Sequence, residues 1–435
     1  MKKISVLLSV ALLVGHCDWT MCAEEKFVDV GASAENLLLL TVADAGARSL
    51  QRGYHRAGYR ASNAAAVTMA DIEREYALHQ VDSWPIPLLG VYCVLVTPAA
   101  NVSRQAALAQ LQRDARVSLA QPMQTFTMKG SDNKNSDAKN NGEKSRRGKG
   151  YNDPYFSLQY GKYAPRIEQL HQRVTGRGVR VAIVDTGADR THPDLNGHIS
   201  ISHNFAHTGN VELDKELGVD KQFDSDIHGT AVAGIIVAAA NNQIGIVGLA
   251  PDAEVLMLKA CWQLKADEIA ARCNSFTLAK ALSFAIEQHV DVINLSLAGP
   301  ADPLLEQLLK IALGRGILIV AARDPLGQFP ADMPGVIAVD AAAGLSSHTV
   351  ARTVAVRGGI FGDAPRLIVE AEASELLSTS PNGRYDYFSG SSMAAARVTG
   401  FSALMRQQQR TLSAMQLLKN FNQWLNSPPT VAQFP

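Results

Sequence analysis

Val181-Ala182-Ile183-Val184-Asp185-Thr186-Gly187 is an aliphatic run that ends on an acid and is released by Thr-Gly. A run without polar alternation fits a strand buried on both faces, as in parallel sheets. Working outward, similar short runs recur at Val255 to Leu258, Val290 to Leu295, Ile317 to Ala321 and Val336 to Val339. Helical patterns separate them, among them Gly229 to Ala240, Phe276 to His289 and Pro303 to Arg315. This alternation predicts one α/β domain over residues 151–435, a mainly parallel sheet with helices on both faces. Ligands of such sheets sit beyond the carboxyl ends of the strands, which is where Asp185 falls.

The chain ahead of this domain reads differently. Residues 26–129 hold strand-like runs at Leu37 to Val42, Leu89 to Thr97 and Val117 to Met128. A helical pattern from Ser103 to Ala115, with Ser103 as N-cap, lies between the last two, so a small α+β domain is expected. Residues 130–150 carry Asn, Lys, Asp, Ser and Gly with no aliphatic residue beyond Ala138, together with Arg146-Arg147. Such a stretch buries too little apolar surface to order itself and reads as an exposed, flexible linker open to nicking. At the start, Lys2 and Lys3 precede the apolar run Ile4 to Val14, the layout of a signal peptide over residues 1–23. A secreted or periplasmic protein is therefore expected. No later segment is long and apolar enough to span a membrane. Lys plus Arg and Asp plus Glu number 41 each, so no basic excess points to nucleic acid or to an anionic membrane surface.

Outside the first residues stand Cys93, Cys261 and Cys273. Cys261 and Cys273 flank a short polar stretch and are expected to close a small disulfide loop. Cys93 sits in an apolar run and reads as a core residue. Two further motifs join the one at Asp185. His228-Gly229-Thr230-Ala231-Val232-Ala233-Gly234 puts a histidine at the start of a slim helix, and Gly390-Ser391-Ser392-Met393-Ala394 puts a serine at the start of another. A serine hydroxyl is a weak nucleophile until an imidazole takes its proton, and the imidazole needs a carboxylate to orient it. A serine at a helix start also presents its backbone N–H to a developing oxyanion. Asp185, His228 and Ser392 are thus the candidate catalytic residues, with no cofactor required for the chemistry.

These three strings resemble the signature motifs of the subtilases. The likeness extends through residues 241–251, Asn294-Leu295-Ser296-Leu297 and Leu377-Ser378-Thr379-Ser380. It implies a subtilisin-like fold preceded by a ferredoxin-like prodomain, and a serine endopeptidase acting through an acyl-enzyme on peptides or unfolded proteins. It implies that Ser296-Leu297-Ala298 pairs with an extended substrate and that Ala321-Ala322 helps wall the specificity pocket. It implies that the N-terminal domain serves as inhibitor and folding aid, as in a zymogen. It also implies a structural calcium ion near Asn242 and Asp194, where the sequence reads equally as a turn. Asp324, after Arg323 and before Pro325, stands where the family usually places the oxyanion asparagine, and an ionised carboxylate cannot donate a hydrogen bond. Glu370-Ala371-Glu372 and Ala395-Ala396-Arg397 are further departures from the family pattern. They leave open a pseudo-protease that binds peptides or a partner with little cleavage.

Overall fold

The computed structural model describes residues 36–46, 61–128, 131–132, 150–207, 226–263, 268–324, 329–342, 351–356 and 366–426. The expected signal segment, 1–23, and most of the expected linker lie outside them.

β1 (Leu38–Ala43), α1 (Asn63–Glu75), β2 (Leu78–Ile86), β3 (Val91–Pro98), α2 (Arg104–Leu111) and β4 (Val117–Pro122) build an N-terminal layer. Its strands are antiparallel in the order β2-β3-β1-β4, a ferredoxin-like βαββαβ arrangement. Ser62 caps α1 by accepting from the Ala65 amide at 3.2 Å, and Ala65, Met69 and Ile72 recur at helical spacing against the sheet. Ser103 is the N-cap residue of α2 but makes no side-chain capping bond. Strand alternation divides the leucines: Leu38 and Leu40 face α1 and α2, whereas Leu37 and Leu39 face the larger domain.

The expected strand Val117 to Met128 is two strands. β4 stops at Pro122, which has no N–H for the ladder, and the chain leaves that sheet as β5 (Thr125–Met128). Then β6 (Ser131–Asp132) forms inside the stretch expected to be a free linker.

The larger domain continues with α3 (Phe156–Tyr160), α4 (Ala164–His171), β7 (Arg180–Asp185), β8 (Ile199–Asn204), α5 (Ile227–Val237) and β9 (Glu254–Lys259). Next come β10 (Cys261–Gln263), β11 (Ala271–Asn274), α6 (Ser275–Glu287), β12 (Val292–Leu295), α7 (Pro303–Gly314) and β13 (Leu318–Ala322). β14 (Ile337–Ala342), β15 (Ala351–Val356), β16 (Arg366–Glu372), β17 (Leu376–Ser380), β18 (Arg384–Ser389), α8 (Ser391–Gln408) and α9 (Ala414–Asn426) complete it. Among the described residues the main sheet has eight strands in the order β15-β16-β14-β13-β12-β7-β9-β8, parallel except where β15 meets β16. Alternate residues of one strand serve opposite faces. Val181 and Ile183 pack with α5 and α8, while Ala182 and Val184 pack with α6 and α7. Leu37, Leu39, Trp84 and Phe126 join the second cluster, so the N-terminal layer shares a core with the larger domain.

Both additional sheets cross the boundary between the two regions. β5 pairs with β11 in the sheet β10-β11-β5, and β6 pairs with β18 in the sheet β17-β18-β6. Cys261 and Cys273 face each other in the β10–β11 pair and are joined by a disulfide; Cys93 is buried and free.

Candidate active site

Asp185 ends β7, and the Ser296 to Ala298 and Arg323-Asp324 segments follow β12 and β13, so all lie at the carboxyl edge of the main sheet. α5 brings His228 to that edge at its second residue, and every residue from His228 to Val237 is buried. Glycine makes this approach possible. A Cβ on Gly229 would stand 2.0 Å from the Gly187 carbonyl oxygen and 3.0 Å from Asp185 Oδ1. Thr186 tightens the junction further, its hydroxyl accepting from the Gly229 amide at 3.1 Å.

His228 Nδ1 lies 2.9 Å and 3.0 Å from the two oxygens of Asp185. Asp185 Oδ1 also accepts from the Thr186 amide at 2.7 Å, which fixes the carboxylate. A neutral imidazole with Nδ1 on a carboxylate carries its hydrogen there, leaving Nε2 as the acceptor. Nε2 is buried and has no hydrogen-bond partner among the described residues.

Ser392 is the second residue of α8, behind Gly390, whose φ of 128° lies in the left-handed region that favours glycine. Its hydroxyl donates to the Ser296 carbonyl at 3.1 Å rather than to His228. The Ser296 hydroxyl returns a contact to the Ser392 carbonyl at 3.2 Å. Asn294 anchors this exchange by accepting from the Ser296 hydroxyl at 3.1 Å and donating to Thr399 at 2.9 Å. Asp185 and His228 are thus in direct contact, and Ser392 sits at the substrate-binding candidates.

A cavity of about 350 Å³ opens beside Ser392, lined by Ser296, Leu297, Ala298, Ala322 and Asp324, among others. Ala322 lines it, whereas Ala321 packs on the opposite side of the sheet beneath α6 and α7. Of the two residues expected to wall a specificity pocket, Ala322 alone lines this cavity, because adjacent residues of a strand point to opposite faces. Arg323 and Asp340 also line the cavity and pair with each other at 2.7 Å. Thr127 of β5 lines it too. The Thr127 amide donates to the Ala298 carbonyl at 2.9 Å, and the Ala298 amide donates to the Thr127 carbonyl at 3.0 Å.

The calcium candidates do not form a cation cradle. Asn242 Nδ2 donates to Asp194 Oδ1 at 2.7 Å, and the other Asp194 oxygen accepts from the Ile246 amide and the Tyr385 hydroxyl. Asn242 Oδ1 accepts from the Ile244 amide at 3.0 Å. These oxygens are turned to protein donors, and the pair ties a turn together. Two further groups near the centre carry no motif, Asp226 and Lys259. Lys259 is the last residue of a buried strand, where a lysine ordinarily reads as the solvated end.

The family model described as the Subtilase family matches residues 176–423. An intracellular serine protease of Paenibacillus polymyxa is 36% identical over 244 residues, covering 53% of this chain and 68% of that protein. The major intracellular serine protease of Bacillus subtilis (strain 168) is 35% identical over 250 residues, covering 55% of this chain and 72% of that protein. Among solved structures, fervidolysin from Fervidobacterium pennivorans, described as a keratinolytic enzyme related to subtilisin, superposes with a TM-score of 0.60. The match covers 90% of this chain and 57% of fervidolysin at 19% identity, and it supports the fold alone. The two protease relatives correct the expectation of a secreted or periplasmic protein, since both are named as intracellular enzymes. The catalytic fold does not encode a compartment, and the short apolar run behind that expectation lies outside the described residues.

Proposed function

The chain belongs to the subtilase family and is a subtilisin-type serine endopeptidase, and we propose that it cleaves peptide bonds with Ser392 as nucleophile, His228 as general base and Asp185 as its orienting partner. The observation that carries this reading is His228 Nδ1 on both oxygens of Asp185 with buried Nε2 left to accept a proton. The Ser392 hydroxyl swings from the Ser296 carbonyl toward Nε2, gives up its proton there, and attacks the scissile carbonyl carbon. The Ser392 backbone N–H, at the start of α8, donates to the resulting oxyanion. Collapse of the tetrahedral intermediate breaks the C–N bond. The imidazolium returns its proton to the leaving amine, and the acyl group stays on Ser392. Water then repeats the sequence, with His228 as base, and releases the carboxylic product.

The substrate in this reading is an extended peptide, added as a strand along Ser296-Leu297-Ala298. That edge supports the reading because it already holds an extended segment of the chain, Thr127 against Ala298. β6 then continues against β18, Ser131 opposite Ser389, just before the helix that bears Ser392. The N-terminal layer is therefore proposed to act as the enzyme's own inhibitor until the chain is cut within residues 130–150.

A fluorophosphonate probe tests the nucleophile. With the chain cut in that interval, the label should map to the peptide containing Ser392 and be absent from Ser392→Ala. Labelling elsewhere, or none on a folded chain with the cleft open, would contradict the assignment and favour a peptide binder.

A further inference from the structure

Lys259 is the last residue of β9, opposite Asp185 in the β7–β9 register, and it is wholly buried. Its ammonium donates to the Thr186 carbonyl at 2.5 Å and to the carboxylate of Asp226. Asp226 is itself 1% exposed and is the N-cap residue of α5, two positions before His228. An N-cap aspartate ordinarily accepts from its own helix amides. Asp226 makes no such side-chain bond. The first turn is served from outside instead: the Ile227 amide by Gln263 at 3.0 Å and the Gly229 amide by Thr186 at 3.1 Å. Burying two charges costs free energy that their attraction does not always return, so such a pair needs a reason other than stability.

We infer that Lys259 is a positioning residue of the catalytic centre: it ties the chain just after Asp185 to the start of the helix that carries His228. One ammonium spans the two elements whose relative placement sets the Asp185–His228 contact. No motif of the family reading includes it. The backbone adds to the tie, since the Ala260 amide donates to the Asp185 carbonyl at 3.0 Å.

The pair also balances charge around the imidazole. β7 presents Asp185, β9 presents Lys259, and the N-terminus of α5 presents Asp226. On α8, Arg397 is ion-paired with Glu372 at 2.7 Å. Asp189 gives its backbone amide to Thr230, while its carboxylate is held by Thr191 and the Asn382 amide. β17 brings no charged residue to α5. Removing Lys259 alone leaves Asp226 to stabilise the protonated imidazole. Removing the Asp226 charge alone leaves the ammonium to oppose it.

The inference rests on His228 acting as the base, and the measurement separates the two. In the wild type, Lys259→Met, Asp226→Asn and the double variant, kcat, KM and the acid limb of kcat/KM are recorded on one peptide substrate. Lys259→Met should lower kcat about tenfold or more with KM changed less than about threefold, and move the acid limb up by about one pH unit. Asp226→Asn should move the limb down. The double variant should return it near its wild-type position while kcat stays low. A limb that stays in place in both single variants, or kcat equal to wild type in any of the three, overturns the inference. If Lys259→Met does not fold, Asp226→Asn and the double variant decide by the same criteria. His228→Ala and Ser392→Ala serve as controls. Unchanged hydrolysis in those controls defeats the catalytic reading itself, whereas their inactivity with neutral Lys259 and Asp226 variants defeats only the positioning role.

Discussion

Gly229 has no room for a side chain, because a Cβ there would sit 2.0 Å from the Gly187 oxygen. Gly229→Ala must push α5 away from the Asp185 loop, and displacement of about 1 Å at such a site costs roughly 10²-fold in rate. Its kcat/KM on a peptide substrate should fall by at least that factor; near-normal activity would show that the loop yields cheaply. Asp324 lines the cavity beside Ser392, and the guanidinium of its neighbour Arg323 is committed to Asp340. Asp324→Asn replaces a carboxylate by an amide donor. One side-chain oxyanion donor contributes on the order of 10²–10³ in kcat in a subtilisin. The variant should therefore gain in kcat, by up to about that factor, most clearly at alkaline pH. Equal profiles for the two proteins would place Asp324 outside the oxyanion site. The candidates Asp185, His228 and Ser392 are legible in the sequence because Asp185 closes an apolar strand run and His228 and Ser392 open helices of small and apolar residues, so that each polar group falls at the edge of a buried element. Lys259 ends such a run too, but lysine at a strand end is ordinary, and only the structure reveals its burial.

At the scale of elements, α4 holds a buried titratable group. His171 Nδ1 lies 2.7 Å from the Tyr151 hydroxyl and Nε2 lies 2.8 Å from the Leu249 carbonyl, so the neutral ring accepts from one and donates to the other. Burial pushes its pKa down to about 4, against the opposing bond to Leu249. The unfolded chain, with an ordinary histidine near 6.5, then binds the proton first as pH falls. Stability from this site is complete above about pH 6.5 and declines by about 3 kcal/mol toward pH 4. His171→Gln should flatten the loss of urea resistance over that window, and an undiminished loss would assign it to other groups. Replacing Cys261 and Cys273 by serine should cost about 2–4 kcal/mol, read as a lower urea midpoint than that of the oxidised wild type. Five main-sheet strands (β7, β9, β12, β13 and β14) and the helices α5, α6 and α7 are readable from apolar runs and their spacing, whereas β8, with Ser200, Ser202, His203 and Asn204 among its six residues, and the edge strands β15 and β16 are not. α1 and β2 are not, because only Ala65, Met69 and Ile72 of α1 are buried and β2 mixes His, Gln, Asp and Ser with its apolar residues. The partner of β5 is equally hidden, since a strand's sequence shows what it buries and not which edge it joins.

Across the whole molecule, the N-terminal layer closes over α6 and α7 and reaches the cleft. Gln121 donates to Asp302 at 2.9 Å and accepts from the Leu304 amide at 3.2 Å, covering the N-terminus of α7. Lys280 of α6 lies 3.6 Å from Asp82 and over the rings of Trp84 and Phe276. Phe126, fully buried, packs on Phe329 beside the strand pairing at Ala298. A carboxylate in that place is strongly disfavoured. In the full chain, Phe126→Asp should weaken the cover and shorten any lag before activity appears, whereas Ser392→Ala should persist uncut if the cut in residues 130–150 is autocatalytic. An unchanged lag would separate the N-terminal layer from control of the site, and a cut Ser392→Ala chain would assign the cut to another protease.

The central claim is that Ser392 carries the acyl group through turnover. Rapid mixing of the cut enzyme with an activated ester or anilide peptide should give a burst of leaving group equal to the enzyme concentration. Acid quenching within the burst should place the acyl mass on the peptide containing Ser392, with neither signal in Ser392→Ala. A linear onset with no acyl mass on Ser392, from enzyme that still turns over, would contradict it.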